Sequence, residues 1–304
     1  MTKEGLSDQS LHEIKEVPKR GANVEICLKL LRHGIRDPKT NMLTDIGREQ
    51  TRDKAVESGL YEEDFDYIKA IGSTAGPYVN VNEQKMGRAL ETAHIYANEI
   101  ATDSALHTRP TDVLDYKKIV SAVPYDHIKI YNSSIPENFD NLSDKEKIEA
   151  HAKAQIVTVE HVLELTSTEA DQYRKECAGS MAYLITHYQE VAHHLKSGKN
   201  ALIPAGVHGN FMEFLMKAAL IRKDAEGNEV RGFGTLDEIG GPHSTSEAFT
   251  VNIATDESGN NKPLKLIFDD ATRPNLGEMT LDADIVKELS KFYKELRALR
   301  AHKE

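Results

Sequence analysis

The fold class predicted for this chain is α/β: a three-layer α/β/α sandwich with a mainly parallel central sheet and a helical insertion. Three observations predict it. Apolar, strand-like runs at 24–31, 66–73 and 201–207 each lead through a short turn into a segment with helical periodicity. The third run, Ala201 to Val207, is almost continuously apolar, as suits a strand covered on both faces. The first and third runs both end in a His-Gly pair, which places an imidazole at the carboxyl edge of the sheet, where α/β proteins bind ligands.

The elements follow in order. Residues 1–22 are polar with scattered Leu6, Leu11 and Ile14 and read as an N-terminal extension, a short amphipathic helix packed on the core ahead of the alternative, a loose arm. The domain proper is expected over 23–304. After strand 24–31, Thr44 is a good N-cap for a helix to about Ser58, with Ile46, Ala55 and Val56 facing inward and Gly59 as its stop. Strand 66–73 closes in the small-residue turn Ser73 to Pro77, and a helix is expected from about Glu83 to Ala101. The stretch from about 103 to 199 reads as a mostly helical insertion, with helices from Leu142 to about Leu165 and from Thr168 to Lys196. In strand 201–207, Pro204 cannot donate to a ladder, so a local break in pairing is expected there. A helix from Phe211 to Ile221, strands at 247–254 and 264–268, and a final helix from about Asp282 complete the chain. The stripe Ile285, Leu289, Phe292, Leu296, Leu299 on that last helix suits a core-facing helix; a homodimer seam has the same spacing.

At 304 residues the chain can bury a substantial core. With 39% hydrophobic and 29% charged residues, its composition is that of an ordinary soluble protein. A net charge of -11 without a basic stretch argues against nucleic acid as a partner. No run of about 18 apolar residues occurs, so no membrane partner is expected, and the first 22 residues lack the apolar run of a secretory leader. The expected compartment is the cytoplasm. The two cysteines, Cys27 and Cys177, fall in an apolar strand and a helix and read as buried free thiols.

Against this acidic background the cations around His33 stand out. The string Arg32-His33-Gly34-Ile35-Arg36-Asp37-Pro38 puts one imidazole and two guanidiniums at a strand end, a set suited to a phosphate or carboxylate held by forked hydrogen bonds. Arg88 lies near the start of the helix after the second strand, and His208-Gly209-Asn210 follows the third. Glycine after each histidine lets backbone and ligand approach closely.

Together, Leu31-Arg32-His33-Gly34, Leu43-Thr44-Asp45-Ile46-Gly47-Arg48-Glu49-Gln50, Arg88-Ala89-Leu90-Glu91-Thr92-Ala93 and His208-Gly209-Asn210 resemble the histidine phosphatase superfamily, the phosphoglycerate mutase-like proteins. The resemblance spans roughly 23–270 and is poor in the middle. It implies that His33 is a nucleophile carrying the phosphoryl group, that Arg32, Arg88 and His208 hold the phosphoryl oxygens, and that Arg36, Gly34, Gly209 and Asn210 bind substrate. The implied activity is hydrolysis of a small phosphorylated substrate through phosphohistidine, with no metal or other cofactor. A phosphoglycerate-type mutase and an inactive phosphate-ester-binding protein are the alternatives.

Arg-His-Gly-x-Arg-x-Pro resembles the acid-phosphatase branch, which usually has aspartate after its second histidine, where this chain has Gly209. The general acid must come from elsewhere. Asp115, at about the distance beyond Arg88 where the mutase-like branch keeps its acid, is the first choice and Glu137 the second. Glu213 and His243 are pocket candidates by position alone, and His187 and His194 share a helical face without a third ligand.

Overall fold

The structure, a computed structural model, describes residues 19–37, 40–60, 63–73, 78–81, 84–101, 106–121, 123, 126–208, 210–224 and 226–301. Residues 1–18 of the expected extension, Pro38 and Gly209 lie outside them.

In chain order the elements are β1 (Glu25–Arg32), α1 (Asp45–Glu57), β2 (Tyr67–Gly72), β3 (Tyr78–Val81), β4 (Gln84–Gly87), α2 (Arg88–Ile100), β5 (Leu106–Pro110), α3 (Tyr116–Ile119), α4 (His127–Ser133), α5 (Asp144–Glu164), α6 (Thr168–His194), β6 (Asn200–Val207), α7 (Phe211–Ala219), β7 (Leu220–Lys223), β8 (Glu229–Arg231), β9 (Ala248–Ala254), β10 (Leu264–Phe268), β11 (Met279–Leu281) and α8 (Ala283–Ala301). A sheet in the order β5-β2-β6-β1-β9-β10-β11-β7-β8 runs through the molecule. The four strands from β5 to β1 are parallel, and the pairings from β1 to β8 are antiparallel, so most strands point one way. This is the expected α/β/α sandwich.

Alternation along β1 builds the two cores. Ile26, Leu28 and Leu30 face a core closed by α6, α7 and α8, while Leu31 faces a smaller one closed by α1 and α2. The strands expected to converge do so: β6 lies between β2 and β1, with Arg32 opposite Val207 and Gly72 opposite Gly206. The break expected at Pro204 is present on one side. Pairing of β2 with β6 skips from Ile68–Leu202 to Ile71–Ala205, while the β1 side continues through Lys29–Pro204.

Four expectations need correcting. The helix expected from Glu83 starts at Arg88, because 84–87 pair with 78–81 as a hairpin and Gly87 caps the helix in an extended conformation. On α1 the inward residues are Gly47, Thr51 and Ala55, whereas Ile46 and Val56 are exposed. The helix lies so close to the 33–36 loop that a Cβ on Gly47 would stand 2.5 Å from the Ile35 carbonyl oxygen. On α8 the buried face is Val286, Leu289, Ser290 and Tyr293, and Leu299 is exposed. That face packs on α6, where Thr186 and Ser290 share a hydrogen bond of 2.6 Å. Lastly, the helix expected to run to Ile221 ends at Ala219, and Leu220–Lys223 form β7. The region 103–199 is mostly helical and is built into the sandwich. It supplies the edge strand β5 and the helix α6, which packs on α7 and α8; α3, α4 and α5 lie between them. Residues 19–21 are tied to the end of α6, with the Gly21 N–H donating to the Leu195 carbonyl. Both cysteines are free. Among the described residues, no helix is long and apolar enough to cross a membrane.

Candidate active site

The carboxyl ends of β1 and β6 deliver His33 and His208 side by side. Their rings meet edge to face with centroids 5.4 Å apart, and the residues are only 7% and 6% exposed. One phosphoryl group can therefore reach both imidazoles by direct contact. The Gly34 carbonyl lies 2.9 Å from His33 Nδ1. A carbonyl oxygen only accepts, so the ring hydrogen sits on Nδ1 and the lone pair on Nε2.

Arg88 reaches this pair because α2 begins directly on the sheet. A Cβ on Gly206 would lie 1.8 Å from the Ala89 carbonyl oxygen, and one on Gly72 would lie 2.6 Å from Leu90 Cα. These two strand-end glycines let the first turn of α2 sit against β2 and β6. A hydroxyl joins the pieces: the Gly34 N–H donates to Thr92 Oγ1 (3.1 Å), and the Thr92 hydroxyl donates to the Arg88 carbonyl (2.8 Å). The segment that follows β1 is fastened to the same helix, since Arg48 Nε donates to Glu91 Oε1 at 2.8 Å.

Arg32 is clamped from the other side. Its Nη1 donates to the His243 carbonyl and its Nη2 to Gln155 Oε1 at 2.7 Å. His243 is itself buried against Glu213, which accepts from the His243 N–H (2.8 Å) and lies 3.2 Å from Nδ1. The Ser246 N–H donates to the Arg32 carbonyl at 3.1 Å.

The electrostatics favour neutral imidazoles beside fixed cations. Burial first, then Arg88, hold the His33 pKa well below its usual range. The same two causes press His208 down to about 3. Burial, and then the like charge of Arg36, lower Arg88 to about 10, so it stays charged at neutral pH. Arg32 Nε, Arg88 Nε and both ring nitrogens of His208 are buried without a hydrogen-bond partner among the described residues. Buried polar atoms are nearly always satisfied, and guanidinium nitrogens without a partner near a pair of neutral imidazoles suit an oxygen-rich anion.

A cavity of about 160 Å³ opens in front of His33, and Arg36, Gln50, Tyr131, His151 and Gln155 are among its lining residues. Arg36 donates to Asn41 Oδ1 at 3.0 Å. Asn210 is buried at the start of α7, two residues after His208. Asp115 is buried after the 3-10 turn beyond β5 and does not line this cavity. Glu137 is exposed in the turn after α4. The sequence reading missed Tyr131, His151 and Gln155. Polar residues on an amphipathic helix look like its solvated face until something is packed over them.

No family model and no curated protein matches the sequence. Similar solved structures include phosphatases and phytases. A mycobacterial glucosyl-3-phosphoglycerate phosphatase is 12% identical, covers 81% of this chain and 100% of its own, and gives a TM-score of 0.41. A Klebsiella phytase is 10% identical, with 89% and 95% covered and a TM-score of 0.43. A phosphoserine phosphatase from Entamoeba histolytica, in complex with 3-phosphoglyceric acid, is 14% identical, with 75% and 90% covered and a TM-score of 0.32. Likeness at this level carries nothing about activity, which has to be read from the site.

Proposed function

We propose that this protein hydrolyses phosphomonoesters through a phosphohistidine on His33. The observation that carries the reading is the pair of imidazoles with centroids 5.4 Å apart, with Arg88 and Arg32 near His33 and a buried nitrogen of each arginine without a partner among the described residues. His33 Nε2 attacks phosphorus in line and takes the phosphoryl group; water then removes it. Arg32, Arg88 and His208 bear the charge on the phosphoryl oxygens, so the clamp is made by side chains of this chain without a metal. The low pKa of His33 keeps its lone pair available at neutral pH. The substrate is a small phosphate ester, bound with help from Arg36, Gly34, Gly209 and Asn210.

The test is chemical trapping. The protein is incubated with a phosphate ester labelled in its phosphoryl group and quenched at alkaline pH, where phosphohistidine survives. The label is expected on His33 together with release of phosphate, and both are expected to vanish in His33→Ala. Label on another residue, or turnover surviving in His33→Ala, would refute the reading.

A further inference from the structure

Expelling an alkoxide from phosphorus requires a proton at the leaving oxygen, and among the described residues no aspartate or glutamate lines the cavity in front of His33. Asp115 and Glu137, the carboxylates suggested by the sequence, stand outside that lining, as Arg88 and His208 do, so the competing assignment to Asp115 is decided by Asp115→Asn in the experiment below. The cavity's own proton carriers are Tyr131, His151, His243, Ser244 and Thr245. The His243 ring is fully buried against Phe249 and Phe268, with Nδ1 held by Glu213. Serine and threonine hydroxyls are no more acidic than the alcohol that has to leave. Tyrosine is, since its ordinary pKa is about 10.

We infer that Tyr131 protonates the leaving oxygen and that His151 orients it, an assignment that rests on the phosphohistidine reading above. The Tyr131 hydroxyl is hydrogen-bonded to His151 Nδ1; with the ring hydrogen on Nδ1 the imidazole donates and leaves the phenolic hydrogen for the leaving oxygen, and the two rings stack 5.9 Å apart at 12°. Phe139 meets the other ring edge on at 4.7 Å, which fixes its plane. His151 is held below its usual pKa by burial and then by Arg36, so it serves as a neutral partner. Burial raises the Tyr131 pKa, which keeps the proton in place at neutral pH, while Arg36 and Arg32 stand near enough to oppose that rise and to face a phenolate once the proton has left.

The steps balance. As His33 Nε2 bonds to phosphorus, the bond from phosphorus to the leaving oxygen breaks with its electron pair on oxygen. That oxygen takes the phenolic proton and departs as alcohol, leaving Tyr131 as phenolate. Water then attacks the phosphohistidine, the N–P electron pair returns to Nε2, and the proton lost by water restores Tyr131. The sum is ester plus water giving alcohol plus phosphate.

The leaving group decides the test. p-Nitrophenolate departs without a proton, and kcat/KM reports only the phosphorylation half-reaction, where the acid acts. Tyr131→Phe keeps the ring stack and should lower kcat/KM by about 10²–10³ for the best alkyl phosphate while changing it less than about threefold for p-nitrophenyl phosphate. His151→Ala should show the same selectivity with a smaller loss. Equal losses on both esters, no loss on either, or an alkyl-selective loss in Asp115→Asn would each overturn the assignment. Alkaline-stable label on His33 in Tyr131→Phe, formed from the aryl ester, shows that the phosphohistidine reading stands whichever way this result falls. Absence of label and turnover in the unmodified protein would sink that reading instead.

Discussion

The two sides of the site are built on different principles. On the sheet side, His33, His208 and Arg88 are held by parallel-strand register and by a helix seated on glycines, with backbone atoms in contact. On the cover side, Tyr131, His151 and Gln155 come from α4 and α5 and reach the site through side chains alone. A clamp fixed by main chain tolerates little adjustment, whereas a cover fixed by side-chain contacts can change how the leaving group is handled while the clamp beneath it stays in place.

Four substitutions separate the two sides, beginning with the largest effect. On the proposed mechanism, His208→Ala removes a donor to the transferring group and should slow turnover by about 10²–10³ while the fold survives. The same variant tests the buried imidazole thermodynamically. Its folded pKa is about 3 against an ordinary 6.5, so below 6.5 the unfolded chain takes up a proton that the folded one refuses. Stability is therefore full above about 6.5 and falls as pH drops towards 3, and His208→Ala should flatten that slope in urea titrations. Near wild-type turnover in this variant would mean that the sheet side has been misassigned.

Gly206→Ala comes next. The added methyl would meet the Ala89 carbonyl at 1.8 Å, lift the first turn of α2 and carry Arg88 with it. It should cost about 1–3 kcal/mol in urea unfolding and depress kcat. Gly206→Ala with unchanged stability would show that α2 does not need its seat. On the cover side, Tyr131→Phe should act on alkyl esters alone, as argued above. Gln155→Ala should be mildest, lowering kcat/KM by about tenfold or less, since it frees one end of Arg32 and leaves the His243 carbonyl in place. A Gln155→Ala effect as large as that of His208→Ala would erase the distinction between the two sides.

The same division explains what could be read from sequence. Arg32, His33 and His208 follow apolar strands of unmistakable period, and an ionisable residue at such a junction has few uses other than a site. Arg88 was legible only through its motif, because the hairpin pairing of 84–87 hides the true start of α2. On α1 and α8, Ile46, Val56 and Leu299 look like core residues and are exposed, while Thr51 and Ser290 are buried with hydroxyl partners. Close backbone approach and paired hydroxyls decided those faces, and hydrophobic periodicity records neither. Tyr131, His151 and Gln155 sit in stretches whose only sequence signal is amphipathicity. Their use depends on where α4 and α5 land, and that is fixed by contacts far away in the chain.

The place of β6 in the sheet bears on how the protein is made. β1 and β2 never touch; the strand between them begins at Asn200, more than a hundred residues after β2 ends. During synthesis both earlier strands must wait with open edges until that segment leaves the ribosome, and no part of the His33–His208 pair can assemble before then. Such long-range closure is slow and exposes strand edges to the wrong partners. A chain stopped short of β6 would leave β1 unpaired on both edges and β2 open on one, so premature termination is expected to favour aggregation over a partly working protein.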